Sequence, residues 1–190
     1  HAIYANGGSN EFQFGVGLDY QDINGVMKGS GRHNWAGRAD LNYRTGKLNI
    51  SNRIYINGYK SNESLYGTFS DYARINPFYI KGNTERYFER ATNGPMQGLI
   101  MEARNPLYNA VQNSYNYNKN TNLQNYLQFN WDLDKAIRVS GGLQLAKTFG
   151  SRVDFVSPQH TKFDGLQVLQ KGSYTEIKSE SLSYDGNLML

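Results

Sequence analysis

The sequence has 190 residues, of which 38% are hydrophobic and 14% aromatic, and it contains no cysteine. This length suits one large domain or two small ones, and the lack of cysteine excludes a disulfide framework and a thiolate metal site. The net charge of +4 is small and its Lys and Arg residues are dispersed, so no nucleic-acid partner is indicated.

Seven segments alternate between apolar and polar residues, which is the pattern of strands with one apolar and one polar face. The 15 Tyr and 20 Gly residues also favour strands and turns over helices. Such apolar faces pack inward in a soluble protein but face lipid in an outer-membrane barrel. In chain order the segments are 2–5, 12–20, 34–43, 48–57, 123–133, 137–145 and 181–190.

The connections between these strands differ sharply in length. Tight turns are predicted at 6–10, 45–47 and Asp134-Lys135, and they alternate with longer links at 21–33, 61–121 and 149–180. Alternate connections of a meander lie at the same end of the sheet. One end therefore carries only tight turns and the other only longer links, as is usual for outer-membrane barrels.

Aromatic residues are predicted near both ends of the apolar face. Tyr20 and Trp35 lie towards the long links, whereas Phe12, Tyr43 and Trp131 lie towards the tight turns. Amphipathic rings favour the two headgroup levels of a bilayer, so this placement predicts aromatic girdles. The alternative is that these rings are ordinary core aromatics.

Charged residues fall on the polar face of the predicted strands. Isolated charges in a dry core would each cost several kcal/mol unless paired. A wet or hydrogen-bonded lumen is therefore expected behind the apolar rows, the alternative being a polar face that is simply exposed to solvent. The residues predicted to face the lumen are Arg38, Asp40, Arg53, Asp132, Arg138 and Asp185.

The link 61–121 is the best candidate for function, because long links are usually functional or disordered and this one is rich in aromatics. We expect it to be ordered, with a short helix at 67–75 that ends at Asn76-Pro77. The residues predicted to contact substrate are Asn76, Tyr79, Tyr108 and Asn109. The alternative is that the aromatics pack this loop onto its neighbours.

Several segments resemble the SusC/RagA family of TonB-dependent transporters, in the order expected for that family. The opening HAIYANGGSNEFQFGVGLDYQDINGVMKGSGR is similar to the early barrel, and SLYGTFSDYARINPFY to the first large extracellular loop. Further similar segments are NPLYNA, FVSPQHTKFDG and KGSYTEIKSESLSYDGNLML.

The resemblance implies a barrel of 22 strands around an N-terminal plug in the outer membrane of Bacteroidota. A SusD-like surface lipoprotein would cap it, TonB would supply energy through the plug, and the cargo would be oligosaccharide or peptide. The chain 1–190 would then be about seven strands of a single all-β, up-and-down transmembrane barrel domain, a piece of a longer precursor without its plug. Residues 61–121 and 149–180 would be extracellular loops, and no cofactor is implied.

Two alternatives remain open at this point. A soluble all-β binding or adhesion module would pack the apolar faces sheet on sheet. A small outer-membrane barrel enzyme would need a Ser–His–acid cluster, but His1, His33 and His160 are far apart and no catalytic motif occurs. We therefore expect no enzymatic activity and no catalytic residue.

Overall fold

The computed structural model describes residues 1–80, 82, 84–91, 101–134 and 136–190. The strands are β1 (Ala2–Gly8), β2 (Phe12–Asn24), β3 (Gly31–Thr45), β4 (Leu48–Asn62), β5 (Tyr87–Ala91), β6 (Met101–Arg104), β7 (Tyr115–Asp132), β8 (Arg138–Val156) and β9 (Ser173–Met189). Seven antiparallel strands form the main sheet in the order β1-β2-β3-β4-β7-β8-β9, and β5 pairs with β6 in a small second sheet. The prediction of an all-β, seven-stranded, up-and-down sheet is therefore confirmed. Over the described residues the sheet is open and does not close into a barrel.

The helices are short and all lie in the connections. The predicted helix near residues 67–75 is present as α1 (Phe69–Ala73), and α2 spans Pro106–Ala110. Two 3₁₀ turns cover Thr161–Phe163 and Val168–Gln170. Among the described residues, no helix is both long and apolar enough to cross a bilayer.

The connection lengths follow the predicted segregation. Residues 9–11, 46–47 and 133–137 connect strands at one end of the sheet, and residues 25–30, 63–114 and 157–172 connect them at the other. The turn predicted at Asp134-Lys135 is closed by hydrogen bonds between Asp134 and Ile137, although Lys135 itself lies outside the described residues. We call the two ends of the sheet the turn end and the loop end.

The two long links are shorter than predicted, because the strands beside them continue further. The link predicted at 61–121 spans 63–114, and the link predicted at 149–180 spans 157–172. Residues 81, 83 and 92–100 of the first link lie outside the described residues. In residues 116–122 of β7 both faces are polar, so hydrophobic periodicity underestimates the length of that strand. In β8 the alternation continues through Phe149, Val153 and Phe155, beyond the end of the predicted segment.

Strand register sorts the side chains onto two faces, because directly opposed residues of an antiparallel pair share a face. Phe14 is opposite Leu41, Leu41 is opposite Asn52, and Asn52 is opposite Leu127. We call this the apolar face. The intervening residues form the polar face, where Asp40 is opposite Arg53.

Many side chains of the apolar face are exposed to solvent. Phe14, Leu41, Ile54 and Leu143 are each 39–42% exposed, although all four lie within paired strands. In the described part of the chain these side chains contribute to no closed interior. Among the described hydrophobic residues, Val153 and Phe163 alone are buried, at 2% and 7% exposure.

Candidate functional site

The polar face is rich in carboxamide and hydroxyl groups. Strand β7 supplies the densest row, in which every second residue over most of its length is Asn, Gln or Tyr. Such groups donate and accept hydrogen bonds without carrying a net charge. The members of this row are Asn116, Asn118, Asn120, Asn122, Gln124, Tyr126, Gln128 and Asn130.

A trough of about 900 Å³ opens on the polar face in its turn-end half. Tyr4, Asn6 and Gln13 line one side, and Arg53 and Tyr126 line the other. This volume lies within the range of sites that hold small molecules or short segments of a polymer. Its lining combines phenol hydroxyls, carboxamides and the Arg53 guanidinium, which can hydrogen-bond to sugar hydroxyls and to peptide groups alike.

The charged residues that line the trough, Asp40 and Arg53, are paired with each other, and Arg38 joins them at Asp40. Arg53 Nε donates to Asp40 Oδ1 at 2.6 Å, and Arg38 Nε lies 3.2 Å from Asp40 Oδ2. One carboxylate therefore holds two guanidinium groups, and one positive charge remains in excess. A separate pair at the turn end joins Arg138 Nε to Asp132 Oδ1 at 2.5 Å.

Two glycines make room for an aromatic wall in the trough. Tyr4 is opposite Gly17 in register, and a Cβ at Gly15 would lie 2.4 Å from the Tyr4 hydroxyl oxygen. The Tyr4 ring can therefore lie across β2, where the Arg38 guanidinium carbon is 5.2 Å from its centroid. This arrangement fixes both a ring face and a cation at the rim of the trough.

A smaller hollow of about 320 Å³ lies nearer the loop end of the polar face. Arg32 stacks over the Tyr59 ring, with its guanidinium carbon 3.9 Å from the centroid. The Asn57 Oδ1 atom, which belongs to a lining residue, is buried without a hydrogen-bond partner among the described residues. The two hollows give the polar face two places where a polar ligand can be held.

The predicted lumen-facing residues all lie on the polar face. Register brings Arg38, Asp40 and Arg53 together, and it places Asp132 and Arg138 in a second pair. Their orientation towards a lumen stays a prediction. Asp185, on the last strand, is opposite Gln144 and outside both clusters.

A cluster of hydrogen bonds ties the two long links together at the loop end. Asn109 Nδ2 donates to Thr161 Oγ1 at 2.8 Å, and the Thr161 backbone N–H donates to Asn109 Oδ1 at 3.0 Å. Arg86 forms an ion pair with Asp164, to which the Tyr87 hydroxyl also donates. We call this group, together with Asn105, the loop cluster.

The four predicted substrate residues have structural partners in these loops. Asn109 belongs to the loop cluster, and the Tyr108 hydroxyl accepts a hydrogen bond from Arg86 Nη1 at 3.4 Å. Tyr79 stacks on Phe88 with ring centroids 4.9 Å apart, and Asn76 Oδ1 accepts from the Phe78 backbone N–H. Their contact with cargo stays a prediction. Their observed partners within the loops support the alternative, in which the aromatic residues pack this loop onto its neighbours.

Asn105 is the most deeply buried polar residue of the described chain, at 0% exposure. It caps α2 by accepting from the Leu107 backbone N–H, and its Nδ2 donates to the Glu85 carbonyl oxygen at 2.8 Å. Sequence patterns missed Asn105 and Asp164. An Asn before Pro106 is a helix-capping signal that could have identified Asn105.

Replacing Asn105 with alanine is expected to loosen the loop cluster by about 1 kcal/mol, because the helix cap is lost. Hydrogen exchange should become faster in residues 105–110 and 157–164, while the strands stay protected. The matched control is Asn76→Ala, which removes a side-chain hydrogen bond to the Phe78 backbone N–H in an exposed turn. Equal exchange in the Asn105→Ala variant and the unchanged protein would show that the cluster does not depend on Asn105.

His160 and Asp71 are titratable groups in the links with displaced pKa values. Burial lowers the pKa of His160 below its ordinary value, and Lys162 and Arg104 add to this effect. The neutral imidazole accepts from the Lys162 backbone N–H through Nδ1 at 3.0 Å. Hydrogen bonds from the Thr68 backbone and hydroxyl lower the pKa of Asp71. Thr68 and Asp71 together form the capping box of α1.

The described residues contain no group of three or more His, Asp or Glu side chains that could hold a metal ion. No protein-family model matched the sequence, and no curated protein matched it. The features that bear on function are therefore the two faces of the sheet and its two ends.

Proposed function

We propose that this chain forms part of the wall of an outer-membrane, TonB-dependent nutrient importer of the SusC/RagA type. The apolar face would contact lipid, and the polar face would line the aqueous passage. The observation that carries this proposal is the exposed apolar face, since large exposed apolar surfaces mark contact with a membrane or a partner.

The limits of the apolar face support a bilayer as its environment. Tyr20 and Trp35 are directly opposed at its loop-end limit, and Phe12 and Tyr43 are directly opposed near its turn-end limit. From Phe12 to Tyr20 the strand has nine residues, about the length that a transmembrane strand needs. Aromatic rows at this spacing suit the two headgroup levels.

The next row beyond Tyr20 and Trp35 supports the same placement. All six of its residues are polar or charged, which interrupts the apolar face at the loop end, although Tyr117, Val153 and Phe155 follow on β7 and β8. In an importer this row would lie among the lipid headgroups. Across the sheet its members are Asp22, His33, Lys60, Lys119, Ser151 and Lys178.

Both sheet edges are open to further strands. Within the described residues, β1 pairs only with β2 and β9 pairs only with β8. Edge strands with unpaired backbone groups are unfavourable in lipid, so a wall of this kind needs further strands to close it. The family resemblance implies that the complete barrel has 22 strands. It also implies the plug, the TonB complex and the SusD-like lipoprotein.

The proposed cargo is oligosaccharide or peptide. The neutral amide and hydroxyl groups of the polar face and the paired charges of the trough suit an uncharged polar polymer. Asn76, Tyr79, Tyr108 and Asn109 would contribute to the extracellular vestibule. We assign no covalent chemistry to this chain.

Fractionation of the full-length protein from its own cells tests this proposal. We expect it in the outer-membrane fraction after an alkaline wash, and we expect external protease to cut within 63–114 or 157–172 in intact cells. Recovery in the soluble fraction would overturn the proposal and would favour the soluble binding or adhesion module. Cleavage only after cell lysis would overturn the extracellular placement of these links.

A further inference from the structure

We propose that Lys60 and Lys119 form a binding site for the phosphate of an anionic lipid headgroup, at the loop-end limit of the apolar face. This inference rests on the proposed function, because it requires that face to contact a bilayer.

The two lysines are direct cross-strand neighbours. Lys60 on β4 is opposite Lys119 on β7, and both belong to the apolar face. Like charges in this position repel each other and destabilise the pair. Both ammonium groups lie near the ring of Tyr117, with Nζ at 5.8 Å from its centroid for Lys60 and 4.7 Å for Lys119.

Other lysines on the same face have acidic partners. Lys147 Nζ lies 2.6 Å from Glu180 Oε1, and Lys178 Nζ lies 2.9 Å from Glu176 Oε1. In the described part of the chain, Lys60 and Lys119 form no ion pair. Two adjacent cations without a counter-ion are therefore available to an anion from outside this part of the chain.

The position of the pair indicates which anion fits. The lysines lie one row beyond Trp35 and Gly58, at the limit of the apolar face. Lipid phosphates lie directly outside the hydrocarbon, where basic residues attract them. Ser151, opposite Lys119, adds a hydroxyl donor beside the ammonium groups. One phosphate can neutralise both lysines and remove their mutual repulsion.

The test compares the full-length protein in phosphatidylcholine vesicles with and without phosphatidic acid. Wild type should retain phosphatidic acid preferentially, as counted by native mass spectrometry after gentle delipidation. Lys60→Gln and Lys119→Gln should each reduce the preference about fivefold, since a lysine near a membrane surface is worth about 1 kcal/mol. Lys60→Arg should preserve it.

The matched control is Lys147→Gln, which removes a lysine from the same face that is already paired with Glu180. It should keep the wild-type preference. An unchanged preference in the Lys60→Gln, Lys119→Gln double variant would overturn the site. Complete displacement of the lipid by inorganic phosphate would overturn the headgroup assignment and identify a site for free phosphate.

The two proposals fail in different ways. A protein recovered in the soluble fraction would overturn the importer and the lipid site together. An outer-membrane protein without a preference for phosphatidic acid would overturn the lipid site alone. Each variant is first fractionated as wild type is, so that only correctly inserted protein is compared.

Discussion

Replacing Leu145 with arginine is expected to destabilise the inserted protein by about 2–4 kcal/mol, the cost of a cation facing lipid near the midplane of a barrel wall. Leu145 lies on the apolar face, 42% exposed, between Asn125 and Tyr184. Its row lies between the two aromatic limits of this face, so the guanidinium could not easily reach either headgroup level.

The matched control for Leu145→Arg is Ala146→Arg, one residue further along β8. Ala146 lies on the polar face, opposite Gln124 and Ser183. An arginine there would meet water and carboxamides, so we expect little loss of stability. The free energy of unfolding in lipid vesicles, from denaturant titration, measures both variants. Equal losses at the two positions would contradict the assignment of the faces.

Replacing Gly58 with alanine is expected to destabilise the sheet by about 1–3 kcal/mol through overpacking. A Cβ at Gly58 would lie 2.6 Å from the Asn120 carbonyl oxygen and 2.6 Å from Trp35 Cζ2. The backbone oxygen cannot move away without disturbing the pairing of β4 with β7. The Trp35 ring, directly opposite Gly58 on β3, would also be displaced from its position across β4.

The control for Gly58→Ala is Gly186→Ala on the same face of the sheet. A Cβ at Gly186 would have its nearest neighbour at 3.7 Å, which is an ordinary contact. Tryptophan fluorescence and the midpoint of unfolding report on both variants. A Gly58→Ala protein with unchanged midpoint and unchanged Trp35 emission would show that the close packing of Trp35 on β4 is unimportant.

The apolar parts of the strands could be predicted because hydrophobic periodicity is strong there. Segments such as 34–43 and 48–57 lie within the observed β3 and β4. The loop-end extension of β7 could not be found in this way. In residues 116–122, NYNKNTN, asparagines alternate with Tyr, Lys and Thr, so both faces are polar and the hydrophobic signal vanishes although the strand continues.

The polar-face charges could be predicted from alternation, but their partners could not. Alternation places Arg38, Asp40 and Arg53 on one face. The Asp40 carboxylate binds both guanidinium groups because the register of β3 with β4 places Arg53 opposite Asp40. The pairing of Arg86 with Asp164 joins residues 78 positions apart in two separate links, and no local pattern encodes it.

The central claim is that adjacent residues of one strand face different environments, with lipid at the apolar face and water at the polar face. Spin labels on single cysteines at Leu41 and Asn42 test it most directly in the full-length protein, freed of other cysteines and reconstituted in lipid vesicles. Leu41 is 40% exposed on the apolar face, and Asn42 lines the polar trough. We predict that the label at 41 collides mainly with oxygen dissolved in lipid and the label at 42 with a water-soluble nickel complex. Two labels with the same preference, or a label at 41 shielded from both reagents, would contradict the claim.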